Sequence, residues 1–77
     1  MATIRKLIYK VIDSHSSHTE VDCTYSIVET QEGIFLQIDT YGSKQRQDQG
    51  KKSQSLRFSP EAIKQLREII EAALKTV

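Results

Sequence analysis

Two alternating runs that meet at one glycine constrain this chain more than any other feature. Val21 to Thr30 sets Val21, Cys23, Tyr25 and Ile27 on one side and Asp22, Thr24, Ser26 and Val28 on the other. After Gln31-Glu32-Gly33, Ile34 to Tyr41 sets Ile34, Leu36 and Ile38 against Phe35, Gln37, Asp39 and Tyr41. A period of two is the pattern of a half-buried strand. A short turn whose glycine can take a positive φ then joins the two runs as an antiparallel hairpin.

The second constraint is a helix start. In Ser59-Pro60-Glu61 the serine is suited to cap, the proline fits the first helical position, and the glutamate suits the positive end of the dipole. From there to about Thr76, Ile63, Leu66, Ile70, Ala73 and Val77 recur at three-four spacing, and Ile69 and Leu74 widen the stripe. Lys64–Glu68, Arg67–Glu71 and Glu71–Lys75 are spaced for ion pairs on the wet face. The stripe has two readings: it covers the sheet of its own chain, or it also pairs with a second copy.

Between hairpin and helix, 42–50 reads as a loop with two glycines and three glutamines, and Ser53 to Phe58 as a further strand. In that strand Leu56 and Phe58 face inward while Ser55 and Arg57 face outward. Ser14 to Thr19 reads as a polar connector. Thr3 to Asp13 is open between two forms. Ile4, Leu7, Ile8, Val11 and Ile12 fall on one helical face, yet the Thr, Ile, Val and Tyr content favours a strand.

A chain of 77 residues forms one domain, and it buries only about 60% of the surface its unfolded chain exposes. Small domains of this kind often gain stability by association. The lone Cys23 excludes an intrachain disulfide framework. Lys10 and Asp13 interrupt the apolar N-terminal residues, so no signal-peptide core is expected. No stretch approaches the about 18 apolar residues of a membrane span. A soluble, cytoplasmic protein with no membrane partner is expected.

Net charge is only +1, but it is distributed in blocks. Glu20, Asp22, Glu29, Glu32 and Asp39 occupy residues 19–42 without a single base. Lys44, Arg46, Lys51, Lys52 and Arg57 then face one acid, Asp48. Basic side chains set among glutamines and serines, with Phe35 and Tyr41 nearby, fit the pattern of a basic groove with stacking aromatics on a sheet. The same blocks could instead serve an acidic-to-basic protein contact. The helix is charge-balanced, which argues against helix-in-groove reading of a duplex.

Other chemistries find little footing. His15, His18 and Cys23 fall short of the four ligands zinc takes in structural sites, so no metal is expected. Glu29, Glu32 and Asp39 read as a solvated sheet face, and Ser16 and Ser17 lack a nucleophile-elbow context. Gly50-Lys51-Lys52-Ser53 lacks the upstream glycine of a phosphate-binding loop. Neither an enzyme nor a cofactor is expected.

Gly50-Lys51-Lys52, then Ser55-Leu56, then Ser59-Pro60-Glu61 with Gln65-Leu66, preceded by the strand Ile34 to Tyr41, resembles the positive-cofactor-four family of transcriptional coactivators. The match covers residues 25 to 70, and plant Whirly proteins share that general fold and role. The resemblance implies an α+β chain, with a four-stranded antiparallel curved sheet followed by one helix, and it makes Thr3 to Asp13 a strand. It further implies a homodimer paired through helices, here through Ile63, Leu66, Ile70, Ala73 and Leu74, and binding of single-stranded DNA, with a link to the transcription machinery and a place at the nucleoid. Lys52 falls on the family's DNA-contacting lysine. Lys44, Arg46, Lys51, Lys52 and Arg57 would hold phosphates, and Tyr41 and Phe35 would stack on bases. Asp39 stands where the family often carries arginine, and Gly42 where it carries tryptophan, so one cation and one stacking surface are missing. Two residues, near Ser53 and Gln54, are extra. RNA in place of DNA, or a protein partner on the same fold, are the alternatives.

Overall fold

The computed structural model describes residues 1–13, 16–18, 20–41 and 52–76, with Lys52 and Ser53 described by backbone alone. Four strands, β1 (Ala2–Ile4), β2 (Cys23–Thr30), β3 (Gly33–Tyr41) and β4 (Lys52–Phe58), precede one helix, α1 (Pro60–Thr76). The fold is α+β, an open four-stranded sheet with a C-terminal helix.

The hairpin forms as its alternation predicts. β2 and β3 pair antiparallel without a break from Cys23↔Thr40 to Thr30↔Gly33. Gly33 takes φ +127°, and a Cβ there would lie 3.1 Å from Pro60 Cγ, so both the turn and the close approach of the helix start call for glycine. Thr30 Oγ1 accepts from Glu32 N at 3.1 Å and donates to Gly33 O at 3.0 Å, closing the turn. β4 pairs antiparallel with β3, with an irregularity at Thr40/Tyr41.

The sheet is mixed, not wholly antiparallel. Strand order is β1-β4-β3-β2, and β1 runs parallel to β4 through Ala2↔Leu56, Thr3↔Arg57 and Ile4↔Phe58. The expected strand Thr3 to Asp13 is accordingly cut to Ala2–Ile4. β4 ends at Phe58, so the chain beyond Ile4 has no strand left to pair with. Ser59 N donates to Ile4 O at 3.0 Å as the last bond of this seam. The helix then takes over as partner: Gln65 accepts from Leu7 N at 2.9 Å and donates to Leu7 O at 2.7 Å.

Ser59 caps α1 as its position predicts. Its hydroxyl accepts from Ala62 N at 3.2 Å, and its carbonyl accepts from Ile63 N at 2.8 Å. The spaced ion pairs on the helix do not form. The described residues contain one ion pair, Arg5–Glu32 at 3.3 Å, whereas Lys64, Arg67, Glu68, Glu71 and Lys75 are exposed. Pairs worth only tenths of a kcal/mol do not hold long side chains in place against their rotamer entropy.

Cross-strand register sorts the sheet into two faces. One carries Ile4, Leu36, Ile38, Leu56, Phe58, Tyr25 and Ile27; the other carries Phe35, Gln37, Asp39, Ser55, Arg57, Thr24 and Ser26. Among the described residues the buried apolar core is small: Phe35, Phe58 and Ala62. Leu36 on the apolar face joins Ile63, Leu66 and Ile70 around an open groove of about 370 Å³. Ile70 remains 49% exposed, Leu74 70%, and Tyr25 75%. Val77 lies outside the described residues. No helix among the described residues is long and apolar enough to cross a membrane.

Candidate nucleic-acid interface

The polar face of the sheet is a connected layer of hydrogen bonds. Arg57 donates to Gln37 Oε1 from Nε at 3.0 Å and from Nη2 at 2.6 Å. Gln37 Nε2 donates to both oxygens of Asp39, at 3.0 and 3.2 Å. Ser55 Oγ donates to Asp39 Oδ1 at 2.5 Å. These residues meet because register pairs Gln37 with Arg57 and Asp39 with Ser55. Direct neighbours across a sheet project from the same face.

Burial makes the layer consequential. Gln37 and Asp39 are buried, and no buried side-chain polar atom among the described residues lacks a partner. A half-satisfied network here would cost more than an apolar one, so full satisfaction fixes the side chains in one arrangement. Arg57 is half-buried. Gln37 orients its guanidinium through one edge, and among the described residues its other N–H groups meet no acceptor. A guanidinium fixed on a sheet through one edge, with donors left over, is suited to a phosphate oxygen or a base edge.

Tyr41 closes the far end of this face. Its hydroxyl lies 3.0 Å from Thr24 Oγ1, and the residue is half-buried. Its partner in register is Lys52, across the irregularity that skips one residue of β4. β3 therefore ends and β4 begins where an aromatic and a basic residue are paired. From Gln37 to Tyr41 the face runs about 13 Å along the strand, at about 3.3 Å per residue.

The expected site residues divide three ways. Arg57 and Tyr41 share the polar face, and Lys52 is paired with Tyr41 in register. Lys44, Arg46 and Lys51 lie outside the described residues. Phe35 is not available for stacking: it is 4% exposed, and the guanidinium carbon of Arg5 lies 5.9 Å from its ring centroid. At the start of β3, beside the turn that the Arg5–Glu32 pair overlies, Phe35 belongs to the core.

The structure also brings in residues that sequence reasoning placed elsewhere. Asp39, where a cation was the expected counterpart, is an inward acceptor for Gln37 and Ser55 rather than a solvated acid. Gln37 was set opposite the apolar residues of its strand and Ser55 outward on its own, but neither was given a role. Their signal was the polar i, i+2 pair Gln37 and Asp39 inside a run otherwise rich in Ile, Leu and Phe. Among the described residues no three His, Cys, Asp or Glu side chains gather where they could hold a metal ion. His15 lies outside the described residues, and His18 and Cys23 are both exposed.

No family model, curated protein or solved structure matches the chain.

Proposed function

We propose that this protein is a homodimeric binder of single-stranded DNA that uses the polar face of its sheet, in the manner of the positive-cofactor-four family it resembles. The observation that carries the reading is the guanidinium of Arg57, held by Gln37 on the same face as Tyr41. In this account Arg57 and Lys52, with Lys44, Arg46 and Lys51 between the strands, neutralise phosphates, and Tyr41 offers its ring to a base. Single-strand binders combine a cationic track with aromatic platforms on a sheet. Asp39 does not oppose the strand directly, because its carboxylate is turned to Gln37 and Ser55.

The dimer rests on the other face. Among the described residues the buried apolar core is only Phe35, Phe58 and Ala62, and Ile69, Ile70 and Leu74 of α1 and Tyr25, Ile27 and Leu56 of the apolar sheet face are exposed. Pairing α1 with the helix of a second copy through Ile63, Leu66, Ile70, Ala73 and Leu74 supplies the missing burial. It also leaves the half-buried Arg57 and Tyr41 of each copy on the opposite sheet face, where nucleic acid can reach them. The test is binding by the double variant Lys51→Glu with Lys52→Glu, which should abolish single-strand binding while the protein stays folded and dimeric. A folded double variant with unchanged affinity would refute the assignment.

A further inference from the structure

Two lengths of backbone in this fold have the composition or position for strand pairing and no pairing partner among the described residues. The first is the arm, residues 8–12, which runs Ile-Tyr-Lys-Val-Ile and belongs to no strand or helix. Its Ile8, Tyr9, Val11 and Ile12 are 64–88% exposed. The second is the outer side of β2, which lies at the sheet edge and, among the described residues, pairs with β3 alone. Sheet edges are normally protected by proline, lysine, a bulge or shortness. β2 has eight residues, no proline, no base and an unbroken register.

We infer that in the dimer residues 8–12 of one copy add as a fifth strand to the free β2 edge of the second copy, reciprocally. The inference rests on the dimer reading above and specifies a second contact within it. Charge selects the occupant. The arm region carries Arg5, Lys6 and Lys10 with no acid before Asp13, whereas Glu20, Asp22 and Glu29 flank or lie in β2 with no base between residues 19 and 42. Antiparallel pairing of β2 with β2 of the second copy would set Glu29 of each strand near the acidic start of the other, beside Asp22, with no base on either strand to offset it. A basic arm meets the same edge with opposite charge. Composition agrees, since Ile, Tyr and Val are strand formers and the added strand would extend the apolar face past Tyr25 and Ile27.

The arm is also placed to leave its own chain. Gln65 fixes Leu7 beside α1, and Ile4 lies in β1 at the sheet edge opposite β2. Three strand spacings, about 14 Å, separate those edges. The residues after Leu7 are thus anchored at one end and unsupported beyond it.

Cysteine cross-linking tests this with the full chain. Cys23 is exposed at the start of β2 and is the only cysteine in the sequence. Single substitutions Ile8→Cys, Tyr9→Cys, Lys10→Cys, Val11→Cys and Ile12→Cys are oxidised with copper–phenanthroline and run on non-reducing gels. A parallel set in Cys23→Ser with Ser26→Cys reads the middle of the edge. The expected result is a covalent dimer at particular arm positions, with the arm–β2 disulfide mapped between chains and lost when the β2 cysteine is removed. A wild-type dimer by sedimentation with no interchain arm–β2 link in either set would overturn the arm exchange alone, as would links confined to one chain. A monomeric wild type would overturn the dimer reading and this inference together. Interchain links that persist in a dimer carrying Ile70→Glu would retain the arm exchange and discard helix pairing.

Discussion

Arg57 lies across the carboxamide of Gln37, its direct neighbour on β3, and meets the same oxygen from Nε at 3.0 Å and from Nη2 at 2.6 Å. Gln37 in turn reaches Asp39, and Asp39 takes the hydroxyl of Ser55. A half-buried cation is thereby tied through a buried amide to a buried carboxylate. The stability of this face and the binding proposed for it consequently share residues but respond to different substitutions.

Asp39→Ala removes the acceptor that Gln37 and Ser55 both use. Stranding buried donors costs about 1–3 kcal/mol. Urea denaturation should show a loss of that size. A loss under about 0.5 kcal/mol, the range of ordinary surface substitutions, would mean that the polar layer does not stabilise the sheet.

Gly33→Ala meets two obstacles. The backbone is at φ +127°, and the new Cβ would come within 3.1 Å of Pro60 Cγ. A residue forced into such a region costs about 1–3 kcal/mol. The midpoint of chemical unfolding should fall with an unchanged m-value, and an equally stable Gly33→Ala protein would contradict the turn geometry.

Ser59 and Glu61 act together at the start of α1. Glu61's own backbone N–H and, next, the Ser59 hydroxyl hold its carboxyl below the ordinary value of 4.5. A carboxyl lowered in the folded state stabilises it fully above the ordinary value, and that contribution is lost as pH falls through the lowered one. Ser59→Ala should cost about 1 kcal/mol at neutral pH and move the Glu61 titration, read by NMR, back toward 4.5. The stability gap between wild type and Glu61→Gln should narrow as pH drops below 4.5. A Glu61 titration that Ser59→Ala leaves in place would contradict the shared cap.

Ile70 lines the groove with Leu36, Ile63 and Leu66, and is 49% exposed. Placing a charge there should cost the unpaired chain little and the proposed dimer much, because an ionised carboxylate is costly to bury. Sedimentation of Ile70→Glu should show monomers at concentrations where the wild type is dimeric. Dimers unaffected by Ile70→Glu would exclude the helix as the pairing surface.

The parts of this fold legible in the sequence were those whose causes are local. Alternation placed β2 and β3 to within two residues, and Ser59-Pro60-Glu61 marked the helix start, because strand period and capping act over a few residues. β1 was not legible to the same degree. Its parallel partner is more than fifty residues away, and the strand stops at Ile4 only because β4 stops at Phe58. Nothing within Thr3 to Asp13 encodes that limit. Gln65 looked like one member of a Gln-Leu pair on the helix, and its bonds to Leu7 depend on where the arm passes. At the candidate site, the positions of Arg57 and Tyr41 followed from alternation. The burial of Phe35 beside Arg5 did not, since alternation set Phe35 with the polar Gln37 and Asp39, opposite the apolar residues of its strand. Asp39 read as a missing cation because charge alone was visible. Its partner Ser55 became evident only with the β3–β4 register.

The most direct measurement is fluorescence anisotropy of labelled single-stranded DNA against a salt series, for wild type and Arg57→Gln, with matched duplex and matched RNA alongside. For single strands the log–log slope is about −0.7 per neutralised phosphate. The account predicts salt-sensitive binding that favours the single strand over the duplex, with DNA ahead of RNA, and a slope shallower by about 0.7 in Arg57→Gln. Absence of binding at low salt, or an Arg57→Gln protein with the wild-type affinity and slope, would contradict the assignment of the polar sheet face to nucleic acid.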